Sequence, residues 1–178
     1  MFFVPGIAVA VATFPGVVVH EVAHLAVCRI LGIPVYEVCY FRFGTPTGYV
    51  VHQKINDFWR LLLVGCGPFL INSVLGAILA FPSALRVFEF EGAASSMDGI
   101  LVWLGVSVAM HAFPSAGDAR AMWEAVTGKD VPVLAKLIGV PLVGLMFLLV
   151  LGSGFFFDLV YGILIALAFP KMIVDLLA

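Results

Sequence analysis

The stretch FPGVVVHEVAHLAVCRIL, residues 14–31, decides how this chain is read. It is apolar almost throughout, which suits a helix buried in protein or lipid, yet its middle carries His20, Glu21 and His24. Residues i and i+4 lie one above the other on a helix, so the two imidazoles share a face. At that spacing two histidines can grip one metal ion, and the adjacent Glu21 can reach a water on it as general base. Zinc lowers the pKa of such a water to about 7, so the pattern accounts for all three residue types. The structural alternative is a hydrogen-bonded pair such as Glu21 with His24, acting as a latch or a proton relay. Because a charge at mid-span costs roughly 2.5–3.5 kcal/mol on insertion scales, Glu21 is expected to have a function.

Composition extends this outward. Of 178 residues, 63% are hydrophobic and 11% charged, with a mean hydropathy of +1.16. Soluble domains run at about 45–50% apolar and about 25% charged, so a water-soluble globule is excluded in favour of one polytopic membrane domain, residues 1–178. A net charge of −2, with no basic run interleaved with aromatics, gives no reason to expect nucleic acid as a partner. Cys28, Cys39 and Cys66 form neither a disulfide framework nor a CxxC metal pair. The start, MFFVPGIAVA, lacks a basic n-region and does not read as a cleavable signal peptide.

Five apolar segments, roughly 3–31, 60–82, 99–115, 134–152 and 154–177, predict an all-α bundle of about five transmembrane helices. The residues after the first segment are β-branched and aromatic around the turn-like GTPTG. They predict a β-hairpin of about 35–43 and 48–53. Residues 83–98 read as a polar loop. Residues 116–129 read as a short amphipathic interfacial helix with Met122, Trp123 and Val126 on one flank. With five spans, Arg29, Arg42, Lys54, Arg60, Arg120, Lys129, Lys136 and Lys171 fall on one side. Only Arg86 falls on the other, beside Glu89, Glu91 and Asp98. That bias predicts a cytoplasmic basic side bearing the active site, with the N-terminus outside. A chain this small suits a prokaryotic plasma membrane.

A catalytic zinc usually takes three protein ligands. The best third candidate is Asp118 in HAFPSAGDAR, at the end of the third span that the layout puts level with His20 and His24. Pro114 and Gly117 interrupt the helix there, and irregular backbone at membrane depth needs protein or a water-filled cavity around it. Alternatively, Ser115 caps the following helix and Asp118 favours its first turn; both roles can hold at once. His111 and His52 are rival ligands. Cys28 lies too far along the axis from His24 and reads as core. In the second span, VGCGPFLINSVLGAILA, Gly65, Gly67 and Gly76 permit close helix approach, and Pro68 frees a backbone carbonyl. Asn72 could hold a substrate carbonyl or oxyanion near the metal, or bond two helices together; spacing alone does not choose.

Three blocks, HEVAHLAVCRILGIPV, GPFLINSVL and the aspartate of FPSAGDAR, resemble in their order the site-2 protease family of intramembrane zinc metalloproteases. The resemblance covers a catalytic core of roughly residues 14–125, leaving the helices of 134–178 unmatched. It implies that His20, His24 and Asp118 bind one zinc per chain and that Glu21 activates water. It also implies that Asn72, matching the asparagine of a GPxxN motif, helps position the scissile peptide. The hairpin is similar to the family's membrane-associated sheet, which can hold a substrate in extended form by strand addition. Ala119 follows Asp118 where the family usually has glycine, which marks a minimal or divergent branch. The expected activity is therefore zinc endopeptidase cleavage of a membrane-protein substrate, in or beside the lipid bilayer. The competing class is a non-hydrolytic transporter or scaffold with a metal or proton site.

Overall fold

A computed structural model describes residues 6–88, 95–128 and 131–177. The chain is mostly helical with one small antiparallel sheet. Helices α1 (Gly6–Ala12) and α2 (Phe14–Ile30) lead into strands β1 (Val35–Cys39) and β2 (Tyr49–His52). Then come α3 (Phe58–Phe88), α4 (Ser96–Met110), α5 (Ala116–Val126), α6 (Val133–Ser153), α7 (Phe157–Ile163) and α8 (Phe169–Leu177), the last two joined by a π turn over Leu164–Ala168. Among the described residues, every apolar segment of the sequence contains helix. By length and hydropathy α3 and α6 can each cross a membrane, and the bent pair α1–α2 makes a third candidate. At 15 residues, α4 is shorter.

The first segment is not the single helix that its hydropathy predicts. It bends by 86° between α1 and α2, just before Pro15, which sits at the start of α2 where its missing N–H costs nothing. Bending orphans backbone groups, and α4 supplies their partners. Trp103 donates its indole N–H to the Ala12 carbonyl at 3.0 Å. Ser107 donates to the Thr13 carbonyl at 2.9 Å and accepts from the Gly16 N–H at 3.0 Å. The bend is therefore held by side chains more than ninety residues away.

The hairpin strands are shorter than predicted, with Cys39 opposite Tyr49 and Val35 opposite His52. They leave the C-terminal end of α2 and fold back along it, so that Phe41 meets Phe14 edge-on at 6.1 Å. Arg42 travels with them, bonded to the Pro46 carbonyl at 2.9 Å and lying 5.0 Å over the Tyr49 ring. It consequently does not stay beside Arg29 at the far end of α2, as the charge count supposed. Glu89, Glu91 and Lys129, also used in that count, lie outside the described residues.

Helix α3 continues through Pro68 and Pro82 and extends past its predicted end at 82, converting part of the expected polar loop into helix. It crosses α4 closely: a Cβ on Gly76 would lie 2.7 Å from the Gly105 carbonyl, so small residues let the two backbones touch. On α5, Ala119, Met122 and Val126 recur at helical spacing and are buried against Phe58 and Leu61 of α3 and Val143 and Met146 of α6. Trp123, expected on the same flank as Met122 and Val126, is instead exposed. A turn at Gly154–Phe156, with Phe156 in the left-handed region at φ 61°, separates α6 from α7. Tyr161 of α7 then packs near Phe69 and Phe113 and shares a 2.7 Å hydrogen bond with Ser73.

Ser107→Ala would remove the side-chain bonds that tie the bend to α4, leaving the Thr13 carbonyl and the Gly16 N–H only the 3.0 Å backbone bond they make to each other. The expected cost is about 1–3 kcal/mol, measured as unfolding free energy in mixed micelles; an unchanged value would show that the bend does not depend on this contact.

Candidate metal centre

His20, His24 and Asp118 converge, each offering a ligand atom within 4.8 Å of the others. The two Nε2 atoms lie 3.1 Å apart. Asp118 Oδ1 stands 3.3 Å from His24 Nε2, and Oδ2 stands 3.6 Å from His20 Nε2. Ligands held tetrahedrally at bonds of about 2.0–2.1 Å stand about 3.3–3.4 Å from each other, so these spacings suit one small divalent ion. Both histidines are buried, and the Asp118 side chain is 20% exposed.

Each ligand is oriented by backbone that a helix break has set free. His24 donates Nδ1–H to the Val64 carbonyl of α3 at 3.0 Å. That carbonyl lacks its helical donor, because residue 68, four positions on, is proline. His20 donates Nδ1–H to the His111 carbonyl at 2.7 Å, just past the end of α4. In a continuing helix the Ser115 N–H would take that carbonyl, but here it bonds to Asp118 Oδ2 at 2.8 Å. Ser115 Oγ in turn accepts from the Asp118 N–H at 3.1 Å, which completes a capping box at the start of α5. Asp118 therefore plays both parts read from the sequence, N-terminal cap partner and convergent carboxylate.

These bonds determine the chemistry of the centre. A carbonyl oxygen only accepts, so each Nδ1 facing one must carry the hydrogen, and in a neutral imidazole the Nε2 then bears a lone pair. Two such lone pairs and a carboxylate facing each other across 3.1–3.6 Å repel unless a cation or a proton lies between them. The trio can therefore hold a metal ion.

A cavity of about 960 Å³ opens onto the centre. It is lined by His20, Glu21 and His24, by the hairpin loop from Gly44 to Val50, by Asp118 and Arg120 of α5, and by Gly6, Ile7 and Ala10 of α1. Gly48 lies directly against Glu21. A Cβ there would come 2.8 Å from Glu21 Oε1 and 2.7 Å from its Cγ, so a side chain at 48 would have to push the Glu21 carboxylate aside. At the start of β2, Tyr49 donates its phenolic hydrogen to Glu37, which pushes the phenol's pKa up.

The remaining candidates fall elsewhere. His111 contributes its carbonyl to the site, while its ring donates Nδ1–H to the Ser107 carbonyl at 2.9 Å. His52 lines the cavity from the end of β2, with Nδ1 on the Gln53 carbonyl. Cys28 is core, packed with Ile33 and Val64. Asn72 is fully buried and does not line the cavity. Its amide donates to the His111 carbonyl at 3.2 Å, the same oxygen that orients His20, while its Oδ1 has no partner among the described residues. Of its two readings, the structure contains the interhelical bond. Sequence reasoning picked out neither Gly48 nor the His111 carbonyl, and it read a carbonyl freed by Pro68 without linking it to His24. Pro68 was a usable signal for the Val64 carbonyl, whereas nothing local marks Gly48 as the neighbour of Glu21.

No family model matches this chain, and no curated protein or solved structure is significantly similar to it.

His111→Ala removes the ring but keeps the carbonyl, so the variant should retain the metal stoichiometry of the unaltered protein by elemental analysis. Loss of the metal would make the imidazole a ligand after all.

Proposed function

We propose that the protein is an intramembrane zinc metalloprotease of the site-2 protease type, cleaving a peptide bond in or next to a transmembrane segment of a protein substrate. The observation that carries this reading is a general-base candidate, Glu21, lying between two convergent imidazoles in sequence and opening with them into one cavity. Two nitrogens and a carboxylate oxygen at near-tetrahedral spacing suit zinc among the common divalent ions, and three protein ligands leave a fourth position open. Bound there, zinc supplies a Lewis acid that makes water nucleophilic at neutral pH.

The chain's own groups do the rest. Glu21 takes a proton from the attacking water as its oxygen adds to the scissile carbonyl carbon. It then delivers that proton to the amide nitrogen as the C–N bond breaks, which leaves a carboxyl and an amine. The hairpin loop shields Glu21 from bulk solvent. A helical substrate keeps its carbonyls engaged, so it must be drawn out into extended form, and the β1–β2 hairpin beside the cavity offers a sheet edge for that purpose. Asn72 and the His111 carbonyl hold His20 in register. In this reading all five apolar segments cross or enter a bacterial-type plasma membrane. The N-terminus is outside, and the C-terminal end of α2, with Arg29, faces the cytoplasm.

Glu21→Gln keeps the shape of the side chain but removes its basicity. Cleavage of a model transmembrane substrate should fall by about 10²–10⁴-fold with metal content unchanged. Undiminished cleavage would remove Glu21 from the chemistry. A wild-type protein that binds metal but cleaves no membrane substrate would favour the transporter or scaffold reading.

A further inference from the structure

We propose that Pro68 is a positioning residue of the metal centre, holding His24 by what it withholds from its own helix. The inference rests on the reading of His20, His24 and Asp118 as a metal site. Helix α3 runs unbroken past Pro68, whose side chain is fully buried. In any other residue an N–H at position 68 would bond back to the Val64 carbonyl. Proline has none, and its ring also crowds that carbonyl out of line with the helix axis. A buried carbonyl without a donor is costly at membrane depth, so a partner must come from outside the helix.

His24 is that partner, with Nδ1 at 3.0 Å from Val64 O across the contact between α2 and α3. The bond settles which nitrogen of the ring bears the hydrogen. Nε2 is thereby left with its lone pair aimed at His20 Nε2 and Asp118 Oδ1, at 3.1 and 3.3 Å. Substituting a residue that has an N–H would give Val64 O a donor within α3 and turn it back along the axis. His24 would then lose both its anchor and its bias toward one tautomer. No ligand atom is touched by the change. Pro82 provides the control: it lies in the same helix, about 21 Å further along the axis at 1.5 Å per residue.

The test is titration of the detergent-purified full chain with Zn²⁺ against a competing chelator, together with the melting temperature of the metal-free protein. Partners that orient a ligand typically change metal affinity by about 10–100-fold. Pro68→Ala is therefore expected to bind zinc that much more weakly, while its metal-free form still folds and melts cooperatively, since the new helical bond replaces the one that Val64 O loses to His24. Pro82→Ala should bind zinc normally. Pro68→Val, nearer in volume, repeats the test without leaving a void. Unchanged affinity in the Pro68 variants, with normal binding by the wild type, would overturn the inference and leave the metal centre standing. Equal weakening in Pro82→Ala would overturn it too, by showing a general effect of the helix. No zinc binding by the wild type would remove the reading on which the inference rests.

Discussion

Two hydrogen bonds, His24 to the Val64 carbonyl and His20 to the His111 carbonyl, tie the rest of the structure together. In a lipid environment an unsatisfied backbone group costs several kcal/mol, so a helix can break only where something answers the groups it frees. Here the breaks and the histidines answer each other. Pro68 releases one carbonyl within α3, and the end of α4 releases another. The imidazoles that donate to these two carbonyls are left with their second nitrogens facing one point. The third member follows the same rule, because Asp118 is steered by the Ser115 N–H at the start of α5. Binding determinants and helix ends are thus one arrangement seen from two sides.

The packing around this arrangement fixes its parts from a distance. Met122 and Val126 fasten α5 between α3 and α6, so Asp118 cannot drift from α2. Gly76 and Gly105 bring α3 and α4 into backbone contact, which carries the His111 carbonyl to within reach of both Asn72 and His20. Trp103 and Ser107 hold the bend before α2 and so set α1 as one wall of the cavity. The hairpin returns along α2 and forms another wall at Gly48.

Much of this was legible in the sequence, and the part that was not has a common cause. The apolar runs mark α2, α3, α4 and α6, and the amphipathic pattern of residues 116–129 marks α5, because hydrophobicity is written residue by residue. His20, Glu21 and His24 declare themselves by helical spacing, and Pro68 by its missing donor. Asp118 was legible in both of its roles, since Ser115 three residues earlier gives the capping signal. What escaped depends on partners far along the chain. The bend at Thr13 is satisfied by residues of α4, and the shift of Arg42 to the end of α2 near Phe14 follows from how the hairpin folds back. Burial of Met122 without Trp123 depends on where α6 lies. Asn72 was left open between two roles because its acceptor is thirty-nine residues away. Local pattern names the groups that need partners; only the fold says which partner each one finds.

The central claim is that the three convergent side chains hold one metal ion. Elemental analysis of the detergent-purified chain, beside its Asp118→Ala variant, tests it most directly. The account predicts about one zinc per wild-type chain and a clear loss in the variant. A wild-type protein that takes up no metal even after supplementation, or a variant that keeps its full complement, would contradict it.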